Sequence, residues 1–191
     1  MEDLTEVVEE ISRLALLKNM PRTGWLQCNV PLAACESVAE HVFEASLIAL
    51  FLVKYLKNGG IEVDLGRVLS LSLLHDASEA VTGDLPRIAK KYLGEPDAAA
   101  LMEENLPLTF KRLQEGCSDG SVELKVVKIA DNLSAYLQGV RYAKMGFKRA
   151  EVIAFNTLEE AERIALSEAD EKVRYALLEF VRGFKKAANS I

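Results

Sequence analysis

Long hydrophobic runs are missing from this chain. The longest clean one, Leu47–Val53, is far too short to cross a bilayer, so a membrane-embedded protein is not expected. The first residues, Met1-Glu2-Asp3, are acidic where a secretory signal would be basic and then apolar. A cytoplasmic location is the expectation. An excess of positive charge is missing too: 23 Lys and Arg stand against 29 Asp and Glu, a formal net charge of −6. A nucleic-acid polyanion would meet repulsion, so no nucleic-acid partner is expected. A small anionic substrate is compatible with that charge if one site concentrates positive groups. The three cysteines, Cys28, Cys35 and Cys117, are odd in number and form no C-x-x-C pair. They read as free thiols, because a Cys28–Cys35 bridge would need an oxidising compartment. No two β-branched runs are joined by a hairpin turn signal, which leaves little room for a sheet, and no repeat or low-complexity segment occurs.

What is present is helical periodicity. Half of the residues are apolar and 27% are charged, the composition of an ordered globular protein. The length suits one core, and residues 1–191 are read as one all-α domain, a helical bundle. The spacing predicts helices at roughly 3–18, 37–57, 64–79, 85–93, 97–116 with a break at Pro107, 121–143, 147–167 and 170–187. Ser37-Val38-Ala39-Glu40 is a capping box that opens one of them. Asp84, before Leu85-Pro86, has the form of an N-cap with proline in the first turn. The stretch "NMPRTGWLQCNVPLAACE", residues 19–36, has two prolines and no sustained period, and a loop that long inside a compact domain is usually functional or disordered.

The segment "SLLHDASEAVTGDLP", residues 72–86, raises a physical problem. An apolar helix runs straight into His75, Asp76 and Glu79, and burying three titratable groups without partners is costly. His41 presents a similar case, since Val38, Ala45, Ile48 and Leu52 share its helical face. Asp131, in "VELKVVKIADNLSAYLQGV", shares its face with Val127, Ala130 and Ser134 and demands a cation. Taken singly, each has an ordinary explanation: a hydrogen-bonded core histidine, or an aspartate paired with a basic residue. Taken together, His41, His75, Asp76 and Asp131 supply two nitrogens and two oxygens to one divalent metal and neutralise its charge. That donor set suits Mn, Co, Fe, Ni or Zn better than Ca or Mg. A six-coordinate ion would keep two positions open for water and substrate, an arrangement that can generate hydroxide near neutral pH.

The order H…HD…D resembles the HD-domain metal phosphohydrolases. The strings "PRTGW" (21–25), "ESVAEH" (36–41), "HDASEAVTGDLP" (75–86) and "ADNLSAYL" (130–137) are similar to their 5′-deoxynucleotidase branch. The resemblance implies an HD-type helical bundle and a hydrolase that releases nucleoside and phosphate from (deoxy)nucleoside 5′-monophosphates. It implies Glu79 as the acid–base group, Arg22 at the phosphate, Trp25 and Asp84 at the sugar or base, and a homodimer. The basic residue that the branch commonly carries shortly before its first metal histidine is replaced here by Ala33-Ala34-Cys35-Glu36. Phosphate contact then falls to the metal, Arg22 and Lys128. Two alternatives stay open: an HD phosphohydrolase for a triphosphate or alarmone-like nucleotide, and a catalytically inactive metal-binding module with residues 158–172 as a partner surface.

Overall fold

A computed structural model describes residues 3–86, 89, 91–92, 94, 97–114 and 120–190. All but one of the long helices start on a side chain that satisfies an orphan amide. Asp3 caps α1 (Leu4–Leu14), which tightens into a 3-10 turn at Ala15–Asn19. Ser37 and Glu40 form the expected capping box of α3 (Val38–Asn58), with Ser37 N donating to Glu40 Oε2 at 2.6 Å and Glu40 N to Ser37 Oγ at 3.2 Å. Asp64 caps α4 (Leu65–Leu74), Ser121 caps α8 (Val122–Lys144), and Asp170 caps α10 (Glu171–Ala188). The remaining long helix, α9 (Ala150–Leu166), has no side-chain cap.

The stretch expected to be helical over 97–116 with a break at Pro107 forms two helices. They are α6 (Ala98–Asn105) and α7 (Pro107–Gln114), broken at Leu106 because proline takes the first position of a new helix. The buried Glu10 carboxylate, from α1, accepts from Leu108 N at 2.7 Å and Thr109 N at 2.9 Å, so negative charge sits at the start of α7 where the helix dipole favours it. The helix expected at 85–93 lies partly outside the described residues, with Ala89, Lys91 and Tyr92 helical, and Cys117 lies outside them.

The core centres on α8. It packs against α3, α4, α9 and α10, with Leu52, Leu56, Ile129, Leu133 and Leu177 all fully buried. Each such side chain contributes about 1.5–3 kcal/mol of burial. The α8–α9 crossing is closest at Gly139, where an added Cβ would lie 2.9 Å from the Ala154 Cβ. No strand forms among the described residues beyond an isolated Pro21–Ser37 bridge, in keeping with the all-α expectation.

The stretch 19–36 is an ordered loop. Arg22 N donates to Glu36 O at 2.9 Å and Val38 N to Met20 O at 2.8 Å, which closes its two ends on each other. Inside it lie α2 (Thr23–Leu26) and a 3-10 turn at Leu32–Ala34. Trp25 pins it to the bundle beside Tyr142 and Ala150. Cys28 and Cys35 are free thiols.

Candidate metal centre

The expected continuous helix over 64–79 is corrected by the structure. It stops at Leu74, turns through residues 75–78, and restarts as the one-turn α5 (Glu79–Thr82). The turn is built from i to i−3 bonds, Ala77 N to Leu74 O and Glu79 N to Asp76 O, each 3.0 Å. Such bonds wind the chain more tightly than an α-helix. The His75 ring contributes as well: its Nδ1 donates to Ser72 O at 2.7 Å, a carbonyl the next α-helical turn would have used. Glu79 therefore does not end one continuous helix with His75, as the expected span 64–79 would have it. It lies in the first turn of α5, 7% exposed, rather than at a helix C-terminus.

The tight turn brings His75 and Asp76 to the groove between α3 and α8. His41 Nε2 lies 2.9 Å from Asp131 Oδ1 and 3.8 Å from Asp76 Oδ2. His75 Nε2 lies 3.4 Å from Asp76 Oδ2 and 3.8 Å from Asp131 Oδ1. The two imidazole rings meet edge to face, with centroids 5.5 Å apart. His41, His75 and Asp131 each offer one ligand atom within 4.8 Å of the other two, and Asp76 adds its carboxylate beside them.

These residues fit a divalent ion on their own chemistry. His75 Nδ1 is engaged with Ser72 O, so its Nε2 presents a lone pair. That Nε2 atom is buried, has no hydrogen-bond partner, and faces two carboxylates. Burial alone would raise the Asp131 carboxyl, but the hydrogen bond with His41, the neighbouring imidazoles and Arg22 outweigh it and hold the group down at about 2. Asp131 therefore stays a carboxylate at neutral pH, as a ligand must.

A cavity of about 310 Å³ opens beside the cluster, lined by Arg22, Trp25, Asp76, Glu79, Asp84 and Asp131 among others. Arg22 Nη1 donates to Asp76 Oδ2 at 2.9 Å. Burial would weaken the charge on Arg22, but Asp76, Asp131, Glu79 and Asp84 overcome that and push its pKa above the ordinary value. Trp25 contributes to the wall although it is only 2% exposed; its Nε1–H donates to Glu36 Oε1 at 2.7 Å. The helix start that Asp84 is expected to cap reaches residues outside those described. Its Oδ2 accepts from the Thr23 amide and, at 2.8 Å, from the Thr23 hydroxyl, which clamps the loop of Arg22 and Trp25 against the end of α5. Lys128 is exposed and does not line the cavity.

Sequence reasoning missed the far wall: Gln27 from the loop, Ala135 from α8, and Ile153, Asn156 and Thr157 from α9. Nothing local marks these residues, because only the α8–α9 crossing brings α9 to the cavity.

With the geometry in hand, comparison with known proteins is decisive. The HD domain family profile matches residues 14–173. This chain belongs to the HD-domain family. Among curated relatives of this HD-domain chain, a 5′-deoxynucleotidase from Citrobacter koseri is 30% identical over 95% of the chain and 92% of the relative. A solved structure of a conserved hypothetical protein from Pyrococcus furiosus superposes with a TM-score of 0.80 at 32% identity, covering 94% of this chain and 99% of that one. The HD phosphohydrolase DatZ of cyanophage S-2L, solved bound to dA and one catalytic Zn²⁺, shares the fold with a TM-score of 0.68 at 19% identity, over 97% of this chain and 98% of that one. No described helix is long and apolar enough to cross a membrane.

Proposed function

We propose that this HD-domain chain is a divalent-metal-dependent phosphohydrolase that cleaves (deoxy)nucleoside 5′-monophosphates to nucleoside and phosphate. The observation that carries the reading is the convergence of His41, His75, Asp76 and Asp131 at the mouth of a cavity that also holds Arg22 and Glu79. The 5′-deoxynucleotidase relative, matched along almost its whole length, supports the choice of substrate class.

These four side chains would hold one transition ion such as Mn, Co, Fe, Ni or Zn. Bound there, the ion would supply Lewis-acid charge to a phosphoryl oxygen and acidify a water. The protein's own groups do the rest. Glu79, buried in the cavity wall, orients the attacking water, takes its proton and passes it towards the leaving 5′-oxygen. Arg22 is held charged by the surrounding carboxylates and offers its guanidinium to the phosphate, where charge develops. Trp25 forms an aromatic wall for the sugar or base, and Asp84 keeps the Arg22–Trp25 loop seated through Thr23.

The same reading takes the enzyme as cytoplasmic, consistent with free Cys28 and Cys35, and as a homodimer without a nucleic-acid partner, consistent with the net charge of −6. Native mass measurement returning only monomer would reject the dimer. The test of function is phosphate release from a panel of deoxynucleoside mono-, di- and triphosphates after metal loading. Turnover confined to monophosphates is expected. Turnover on triphosphates alone, or on none of the panel, overturns the proposal.

A further inference from the structure

A chain of polar side chains runs outward from His41 on the side away from the cavity, and the activity described above does not use it. Ser134 Oγ lies 3.2 Å from His41 Nδ1 and donates to Glu44 Oε2 at 3.3 Å. The other oxygen of Glu44, Oε1, accepts from Arg141 Nη1 at 2.7 Å. Both His41 and Ser134 are fully buried, while Arg141 is half exposed and lines a second cleft with Glu44.

The direction of these hydrogen bonds follows from counting protons. Serine has one hydroxyl proton to give, and a carboxylate can only accept. With that proton given to Glu44, Ser134 meets His41 Nδ1 as an acceptor, which favours a proton on Nδ1. A neutral ring held this way offers its Nε2 lone pair to a bound ion, which would take the place of the hydrogen bond that Nε2 makes with Asp131 Oδ1 at 2.9 Å in the ion's absence. His75 reaches the same state by a shorter route, its Nδ1 donating directly to Ser72 O. At His41 the partner of Nδ1 is instead Ser134, backed by Glu44.

We propose that Ser134 and Glu44 are positioning residues that fix the His41 ring in its metal-binding tautomer, with Arg141 anchoring Glu44. This rests on the metal-centre reading, and its test separates the two. Partners of this kind typically control metal affinity 10- to 100-fold. The experiment measures Zn²⁺ affinity by chelator competition in the full chain for Ser134→Ala, Glu44→Gln and the double variant. Ring-nitrogen NMR of the Zn²⁺-loaded proteins is recorded in parallel, and the spectrum is simple because the chain has two histidines.

The gain from an amide at Glu44 is diagnostic. A glutamine can donate to Ser134, which lets the serine proton turn towards Nδ1 and favours the tautomer with its proton on Nε2. We expect each single variant to weaken Zn²⁺ binding by about 10- to 100-fold, and the double variant to be no worse than the weaker single, because both act through one hydrogen-bond chain. The slowly exchanging Nδ1–H signal of His41 is expected in the parent and lost in Ser134→Ala, with the His75 signal unchanged. Parent-like affinity in both single variants, or strictly additive losses, overturns the proposal even if the protein hydrolyses monophosphates. If the parent itself fails to bind metal, the metal-centre reading fails with it. Glu44→Gln changes no volume, so it tests the idea even if Ser134→Ala disturbs packing.

Discussion

Two clefts of similar size flank the α3–α8 groove, about 310 Å³ on one side and about 370 Å³ on the other, and both are rich in carboxylates. In the larger one every glutamate has a structural task. Glu36 accepts from Trp25, Glu40 closes the capping box, and Glu44 is held by Arg141 and Ser134. In the smaller one, Asp76 and Asp131 face two imidazoles, and the His75 Nε2 atom has no hydrogen-bond partner. Volume and acidity are thus poor guides to a site. What distinguishes the smaller cleft is donor capacity that the protein itself does not use up.

The sharpest way to break this contrast is His75→Ala. It removes the donor without a partner, and metal content by elemental analysis and phosphate release should both fall by more than about 100-fold, beyond what outer partners control. Retention of metal would mean that His75 is not a ligand and that the four-residue metal site is wrong. Next in size is a matched pair, one carboxylate from each cleft. Glu79→Gln is expected to lower turnover by about 10²- to 10⁴-fold with metal retained, the range of a lost acid–base group. Glu40→Ala should leave turnover alone and cost about 0.5–1.5 kcal/mol in a denaturation curve, the value of one hydrogen bond. Equal effects of the two on turnover would erase the distinction.

Glu36 supplies a pH test inside the second cleft. Burial raises its pKa above the usual carboxylate value, and His41, Trp25 and Arg22 only partly offset that. A raised folded-state pKa means that the folded protein holds the proton longer than the unfolded chain. Stability is therefore lost as pH rises from about 4.5 through the raised value. Glu36→Gln keeps an oxygen for Trp25 and should abolish that loss, which stability curves measured against pH would show. A variant less stable than the parent at neutral pH would refute the assignment. The smallest effect concerns Cys35, whose thiol burial and Glu36 push up to about 11. Alkylation of Cys35 at pH 8, followed by peptide mass mapping, should be much slower than for a free thiol.

Much of this was legible before any coordinates. The helical period identified α3, α8, α9 and α10, and the capping box located the start of α3 and hence the height of His41. The need to neutralise Asp131 on an apolar face pointed to a cation. Three features were not legible. Local periodicity continues smoothly through His75, so nothing in it announces the 3-10 turn that re-aims Asp76 and buries Glu79. The bond from Thr23 to Asp84 escapes local reading because the two residues lie far apart in the chain. The α9 wall of the cavity depends on a crossing that only Gly139 permits.

By itself the sequence determined the all-α class and the inventory of donors, because both follow from side-chain chemistry and from spacing within single helices. Tertiary structure alone decided which carboxylates are consumed by caps and ion pairs and which are left facing the imidazoles. That choice rests on contacts between segments remote in the chain, Glu44 with Ser134 and Arg141, Asp84 with Thr23, and no local rule encodes them.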